Sequence, residues 1–415
     1  MIVSGKMNKT SGIYRIIHTA DWHLGKTLHD QSREQEHEHF MSWLLDEIKE
    51  LEADALIIAG DVFDSGLPPQ KVIRHWFDFV NRLKDRTRCN LVVIGGNHDS
   101  PSQLESAGPI LELLNVRVDG RIRELPQDRI LFLPNEENPK VMIAMVPYLR
   151  DADLRVSVFG ESSEEIQSKV EQGIRSKYQE CEDAAESFKC PLIATGHLTV
   201  SGMKVSDSER KIIGGIDGVS SDLFSDKFDY VALGHLHRPQ SPDGKRVHYS
   251  GSPIPLSFSE AKDKKQIRVI DVNDDGVSSF SVDIPLIRRL AQLTVAYDQM
   301  ESAFEKFDPP SEKLETWVEV KVKDPTFSGN LSEEVRELAK DADYKILKVI
   351  PEKTIYSNEV EETGDISGFQ LDVNNPEKIF SERLQQGGIE EDAQVPLMKL
   401  FEELVRIEKE EGTVS

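Results

Sequence analysis

Apolar residues in this chain come in short runs, and several runs stop at a small residue followed directly by Asp, His or Asn. The junctions are Ala20-Asp21-Trp22-His23, Gly60-Asp61, Gly96-Asn97-His98-Asp99, Gly196-His197 and Gly234-His235-Leu236-His237. The runs at 55–59, 91–94 and 230–233 are too short for buried helices and each is closed by Gly, so they predict strands buried on both faces. Between them the apolar period becomes helical. Residues 32–51 open with a Ser-x-x-Gln capping box (Ser32, Gln35) and put Phe40, Leu44, Leu45 and Ile48 at helical spacing. A second helix is predicted over 70–83, and a third after Ser162-x-x-Glu165, with Ile166, Val170, Ile174, Tyr178 and Cys181 as a narrow stripe. Strand and helix alternate from 14 to 285, which predicts α/β layering with both sheet faces covered. In an open α/β sheet, polar residues at the carboxyl ends of strands converge on one place.

The pattern changes after residue 285. Strands are predicted at 293–297, 318–322 and 346–350, separated by helical stretches near Glu301 and Glu333, an order that fits a small α+β domain. Residues 357–374, rich in Glu, Asp and Gly, read as a flexible linker. Beyond it, Asn375-Pro376 offers an N-cap with Pro at the first helical position. Residues 395–407 put Leu397, Leu400, Phe401 and Leu404 on one helical face, spacing suited to docking on a partner or back on their own domain, the partner being favoured.

Composition narrows the class. The stretch 1–12 has no apolar core of a secretion signal, and no segment has the apolar length of a membrane span, so a cytoplasmic location is expected. Cys89, Cys181 and Cys190 are widely spaced and odd in number, which disfavours a disulfide framework or a thiolate zinc site. A formal charge of −24 argues against a chain that wraps a polyanion unaided. Arg288-Arg289 and Lys262, Lys264 and Lys265 are small local basic candidates, each read as an ordinary solvated face.

The junctions supply Asp21, His23, Asp61, Asn97, His197, His235 and His237, oxygen and nitrogen donors without a thiolate. Such ligands suit Mn, Fe, Zn or Mg. They exceed the needs of one tetrahedral ion and fit two ions sharing a carboxylate, as in centres that clamp both oxygens of an in-line phosphoryl displacement. His98 follows Asn97 and is placed to assist a departing oxygen without being a ligand, with Asp64 as the carboxylate that would orient it. Singly, a His at a strand end is a satisfied polar residue and an Asp after Gly is a turn. Five matched strand ends favour a metal site instead. The string Ala20-Asp-Trp-His-Leu-Gly-Lys-Thr27 loosely fits a phosphate loop, but Asp21 would repel phosphate and Trp22 would crowd it. His29, His37, His39, His75 and His248 have no matched companions, and Tyr148 and Arg150 follow a predicted strand at 141–146.

The order D-x-H, G-D-x-x-D, G-N-H-D, G-H and G-H-x-H, from Asp21 to His237, resembles that of the calcineurin-like metallophosphoesterases. The longer strings His18-Thr-Ala-Asp-Trp-His-Leu-Gly25, Gly60-Asp-Val-Phe-Asp-Ser-Gly-Leu-Pro-Pro69, Gly196-His-Leu-Thr199 and Tyr249-Ser-Gly-Ser-Pro253 are similar to the SbcD family of bacterial nuclease subunits. The resemblance runs from Tyr14 to the end of the chain and is most specific in the first 260 residues. It implies a layered metallophosphoesterase β-sandwich flanked by helices, with a small α+β capping domain and C-terminal helices. The implied divisions are an extension at 1–12, a nuclease domain at 13–285, a DNA-guiding cap at 286–356, a linker at 357–374 and partner-binding helices at 375–415. Asp21, His23, Asp61 and His237 would hold one divalent ion and Asp61, Asn97, His197 and His235 the other, with Mn2+ favoured. His98 would be the catalytic imidazole; at Asp64, archaeal and eukaryotic relatives usually carry His.

The implied activity is a two-metal double-strand DNA exonuclease and single-strand or hairpin endonuclease, acting in repair, recombination and replication. The implied partners are an SbcC-like coiled-coil ATPase, DNA ends and hairpins, and a second copy of the chain within a heterotetrameric or larger complex. Two other functions stay open: a metal-dependent phosphomonoesterase and a noncatalytic scaffold. Ser/Thr phosphatases of the superfamily follow G-D-x-x-D with Arg-Gly, a guanidinium clamp for phosphate, where this chain has Ser65-Gly66. A decayed site loses ligands first, and here all seven are present with His98 and Asp64.

Overall fold

The computed structural model describes residues 9–154, 162–209, 218–324 and 331–352, together with Met398 and Phe401. Residues 1–354 form one unit and 355–415 another. The predicted linker at 357–374 and, apart from Met398 and Phe401, the predicted helices at 375–415 lie outside the described residues.

Two sheets carry the five strand ends. The chain opens the first with β1 (Tyr14–Thr19), β2 (Ala55–Ala59), β3 (Asn90–Ile94) and β4 (Val116–Asp119), all parallel neighbours. It crosses to the second with β5 (Ile130–Leu133), β6 (Val141–Ala144), β7 (Leu192–His197), β8 (Tyr230–Gly234) and β9 (Val247–Tyr249). It then returns to the first as the antiparallel edge β10 (Gln266–Asn273) and β11 (Gly276–Asp283). The strand orders are β11-β10-β1-β2-β3-β4 and β9-β8-β7-β6-β5.

Side-chain direction alternates along each strand, so one run feeds two cores. Ala55, Ile57 and Ala59 of β2 point between the sheets, where they meet Ile143, Ile193, Tyr230 and Ala232 of the second sheet. Leu56 and Ile58 point outward to Phe40 and Leu44 of α1 (Glu34–Glu50) and Trp76 and Phe79 of α2 (Gln70–Arg86). On the far side, Ala194, Val231 and Leu233 meet Ile174, Tyr178 and Cys181 of α3 (Ser163–Ala185). The layers are therefore helix, sheet, sheet, helix. An apolar run shows that both faces of a strand are covered but not by what; here helices cover one face of each sheet and the facing sheet the other, the flanked sandwich that the resemblance implies.

Local starts differ in one place. The Ser162–Glu165 capping box forms as predicted, each side chain meeting the other residue's backbone N–H. The Ser32–Gln35 box does not, because Ser32 lies in a two-residue strand and its hydroxyl accepts the N–H of Glu34. Helix α1 accordingly begins at Glu34 with Arg33 as its cap residue. Arg33 is buried and committed to Glu36 and the Pro255 carbonyl.

After residue 285 three parallel strands, β12 (Leu290–Ala296), β13 (Thr316–Lys323) and β14 (Tyr344–Glu352), form a separate sheet. Val318, Val320 and Val322 pack against Phe304 of α4 (Met300–Phe304) and Val335 of α5 (Leu331–Leu338). Arg288 leads into this sheet and is not a solvated cation: its guanidinium lies 3.9 Å from the Trp317 ring centroid and its Nε donates to Glu36 at 2.8 Å. Lys265 is likewise wholly buried, while Lys262 and Lys264 are exposed. Among the described residues no helix is long and apolar enough to cross a membrane, and the three cysteines are free thiols.

Candidate metal centre

The predicted ligands sit where β1, β2, β3, β7 and β8 end, and their backbone is strained to put them there. Asp21, His23, Asp61 and His235 all have positive φ, at 55°, 47°, 50° and 94°. Each such residue costs about 1–3 kcal/mol unless its surroundings enforce it. Here the loops after β1 and β2 are stitched together: Asp21 N–H donates to Gly60 at 3.0 Å, His23 N–H to Asp61 at 3.0 Å and Leu24 N–H to Val62 at 2.9 Å. Gly60 has φ 93°, and a Cβ there would strike the His197 ring; one at Gly96 would strike Asp61.

Asp61 is central. Its Oδ1 accepts the His98 N–H at 2.8 Å, and its Oδ2 lies 3.3 Å from His197 Nε2 and 3.4 Å from His23 Nε2. Asp21 Oδ1 accepts the His235 N–H at 2.8 Å. The Asn97 amide oxygen is 3.0 Å from both His197 Nε2 and His235 Nδ1. Three sets have ligand atoms within 4.8 Å of one another: Asp21, His23 and His237; Asp21, Asp61 and His197; and His23, Asp61 and His98. Six of the seven predicted ligands are buried, and Asn97 is half-buried.

The orienting contacts depart from expectation. His98 Nδ1 donates to the main-chain carbonyl of Asp64 at 2.7 Å. The Asp64 carboxylate turns instead to His23 Nδ1 at 3.2 Å and Lys26 Nζ at 3.0 Å. A carbonyl fixes a histidine tautomer as well as a carboxylate does, so Asp64 orients His98 through its backbone and His23 through its side chain. Of the other residues noted, Tyr148 is half-buried with its ring 6.3 Å from that of His197, and Arg150 is exposed. His37 is buried in α1, and His248 Nε2 bonds the Lys245 carbonyl at 2.9 Å. The Ala20–Thr27 string leads into a two-residue strand at Thr27–Leu28, without the helix a phosphate loop requires.

The electrostatics call for positive charge. Burial pushes Asp21 up to about 7, with Asp61 adding to the effect and His197 opposing it. Burial also works against ionised Asp61, but His197, His23 and His98 outweigh it and hold Asp61 below the usual carboxylate range. His197 rises to about 9: burial opposes the charge, and Asp61 and Asp21 more than offset that. Burial lowers His235 to about 3 and His237 to about 4, leaving neutral imidazoles fit to be ligands. Asp21 Oδ2 and His23 Nε2 are buried with no hydrogen-bond partner. Buried polar atoms are seldom left so; two of them in a nest of carboxylates and imidazoles fit divalent cations.

Sequence reasoning missed the supports. The Asp99 carboxylate accepts the N–H groups of Val62, Phe63 and Gly96 at 3.2, 3.0 and 2.9 Å, tying the loops that carry Asp61 and Asn97. Its position in Gly96-Asn-His-Asp99 was the available signal. Ser208, Glu209, Glu260 and Lys265 gather around His237, and for them no local pattern stands out.

Fold and centre together define a metal-dependent phosphoesterase. The family model for calcineurin-like phosphoesterases matches residues 14–239, and that for the type 5 capsule protein repressor C-terminal domain matches 286–387. The chain is 32% identical over 402 residues to the SbcD component of the SbcCD nuclease of Escherichia coli K12, covering 93% of this chain and 96% of that one. It is 35% identical over 310 residues to the SbcD component of Rhodobacter capsulatus, covering 71% and 76%. With SbcD of Bacillus subtilis it shares 34% over 262 residues, covering 62% and 66%. The chain belongs to the calcineurin-like phosphoesterase family and, within it, to the SbcD family of nuclease subunits.

Proposed function

We propose that this chain is the nuclease subunit of an SbcCD-type complex, a two-metal double-strand DNA exonuclease and single-strand or hairpin endonuclease serving repair, recombination and replication. The observation that carries the proposal is the buried convergence of five strand ends on Asp61 in a chain that matches nearly the whole length of a relative named as a nuclease. Asp21, His23, Asp61 and His237 would hold one ion and Asp61, Asn97, His197 and His235 the other. We take the ions to be Mn2+, which this oxygen and nitrogen set accepts. When bound, they supply Lewis-acid activation at the scissile phosphate and neutralise charge that develops there.

The chain's own residues do the rest. Asp61 reaches both halves of the site. His98 commits its Nδ1–H to the Asp64 carbonyl, so as an imidazolium it would pass its Nε2 proton to the departing oxygen. The Asp64 carboxylate keeps the His23 ring in place.

The proposal includes a cytoplasmic location, an SbcC-like coiled-coil ATPase partner bound through residues 375–415, and a cap at 286–356 that guides DNA ends and hairpins. A net charge of −24 supports a partner that shares in DNA capture. The proposal also includes a dimer within the larger complex. The test is hydrolysis of a duplex end, a hairpin and a phosphomonoester, with and without manganese and an SbcC-like ATPase. Manganese-dependent cleavage of the two DNA substrates is expected; hydrolysis of the monoester alone would overturn the reading.

A further inference from the structure

His237 is held through its peptide as well as its ring. Its N–H donates to Glu209 Oε1 at 2.6 Å, and its carbonyl accepts from Lys265 Nζ at 3.0 Å and Ser252 N–H at 3.1 Å. Its ring Nδ1 lies 2.7 Å from Ser208 Oγ and 3.4 Å from Glu260 Oε1. Ser208 Oγ in turn donates to Glu260 Oε1 at 2.5 Å. Glu260 Oε2 accepts from Lys265 Nζ at 2.5 Å, and both side chains are fully buried.

These hydrogen bonds leave one consistent assignment. Glu260, paired to an ammonium, is a carboxylate and only accepts. The single Ser208 hydroxyl proton goes to it across 2.5 Å rather than to Ser206 Oγ at 2.9 Å, so toward His237 the Ser208 oxygen accepts and Nδ1 carries the proton. Nε2 is then the unprotonated nitrogen, on a ring 5.0 Å from that of His23 and in the set formed with Asp21. Ser252, from the Tyr249-Ser-Gly-Ser-Pro253 string, sits between Lys265 and Glu260 at 2.8 and 3.2 Å.

A wholly buried ion pair is a poor source of stability, since an apolar pair of equal volume often does as well. What it supplies here is orientation, because both the ring and the peptide of His237 are anchored to it. We propose that Ser208, Glu260 and Lys265 form a relay that fixes the tautomer and direction of His237, as positioning residues for the ion that this imidazole holds. The relay rests on reading His237 as a ligand.

The test uses Mn2+ titration of the full chain, followed by the electron paramagnetic resonance signal of the free ion, beside thermal melting. Ser208 is half-buried, so Ser208→Ala is expected to leave the fold intact, which the melting curve checks. The parent is expected to bind two ions. In Ser208→Ala one of them should bind about 10–100-fold more weakly, with an unchanged melting temperature, and Ser208→Thr should restore it. Glu260→Gln should weaken the same ion. Two ions bound by Ser208→Ala with the parent's affinity would overturn the relay alone. So would a weakening that Ser208→Thr does not restore. A parent chain that takes up no manganese would overturn both the relay and the metal reading beneath it.

Discussion

The two sheets contribute unlike halves to the centre. The ends of β1, β2 and β3 bring both carboxylates among the predicted ligands, Asp21 and Asp61, with His23, Asn97 and His98, and three of these residues sit in left-handed backbone. The ends of β7 and β8 bring only imidazoles, His197, His235 and His237. The first sheet holds its residues through main-chain bonds between neighbouring loops; the second holds its rings through partners such as the Ala59 carbonyl, 2.9 Å from His197 Nδ1. Negative charge thus comes from one side of the sandwich and directional nitrogen from the other. Neither sheet has a complete site, and the attraction of His197 for Asp61 operates only when the sandwich is closed.

Breaking the carboxylate side should do most. Asp61→Asn is expected to lose both ions and lower cleavage about a thousandfold or more, the loss of several kcal/mol of charge stabilisation; metal analysis and a duplex-end assay check it. His98→Asn should keep both ions yet lose about 10²–10⁴-fold in rate, the range of a general acid. Unchanged cleavage would remove His98 from its role. On the imidazole side, His235→Asn should cost one ion and leave the other, read as the stoichiometry of a manganese titration. Asp64→Asn should have the smallest effect, about tenfold in metal affinity through the His23 ring, because the backbone carbonyl that orients His98 is untouched.

The same contrast explains what was legible in the sequence. That Asp21, His23, Asp61, Asn97, His197, His235 and His237 gather in one place could be read from the sequence because each lies at or just after the end of a buried strand, and the strand end fixes where it points. That they lie on two sheets followed from the family resemblance and not from the apolar pattern, since Ile57 and Leu56 are equally apolar whether a helix or a sheet covers them. The bond from His98 to a carbonyl was hidden because backbone groups leave no mark on residue identity. Lys265 and Arg288 read as surface cations, and only tertiary structure reveals Glu260 and Glu36 beside them. The supports of His237 come from positions 208, 209, 260 and 265, far apart along the chain and without a shared period.

The central claim is that one carboxylate from the first sheet joins two ions whose remaining ligands come from both sheets. Anomalous scattering at the manganese edge, from crystals of the full chain grown with Mn2+, tests it most directly. Two peaks flanking the Asp61 carboxylate are expected, one beside Asp21, His23 and His237 and the other beside Asn97, His197 and His235. A single peak, or two peaks that do not share Asp61, would contradict it.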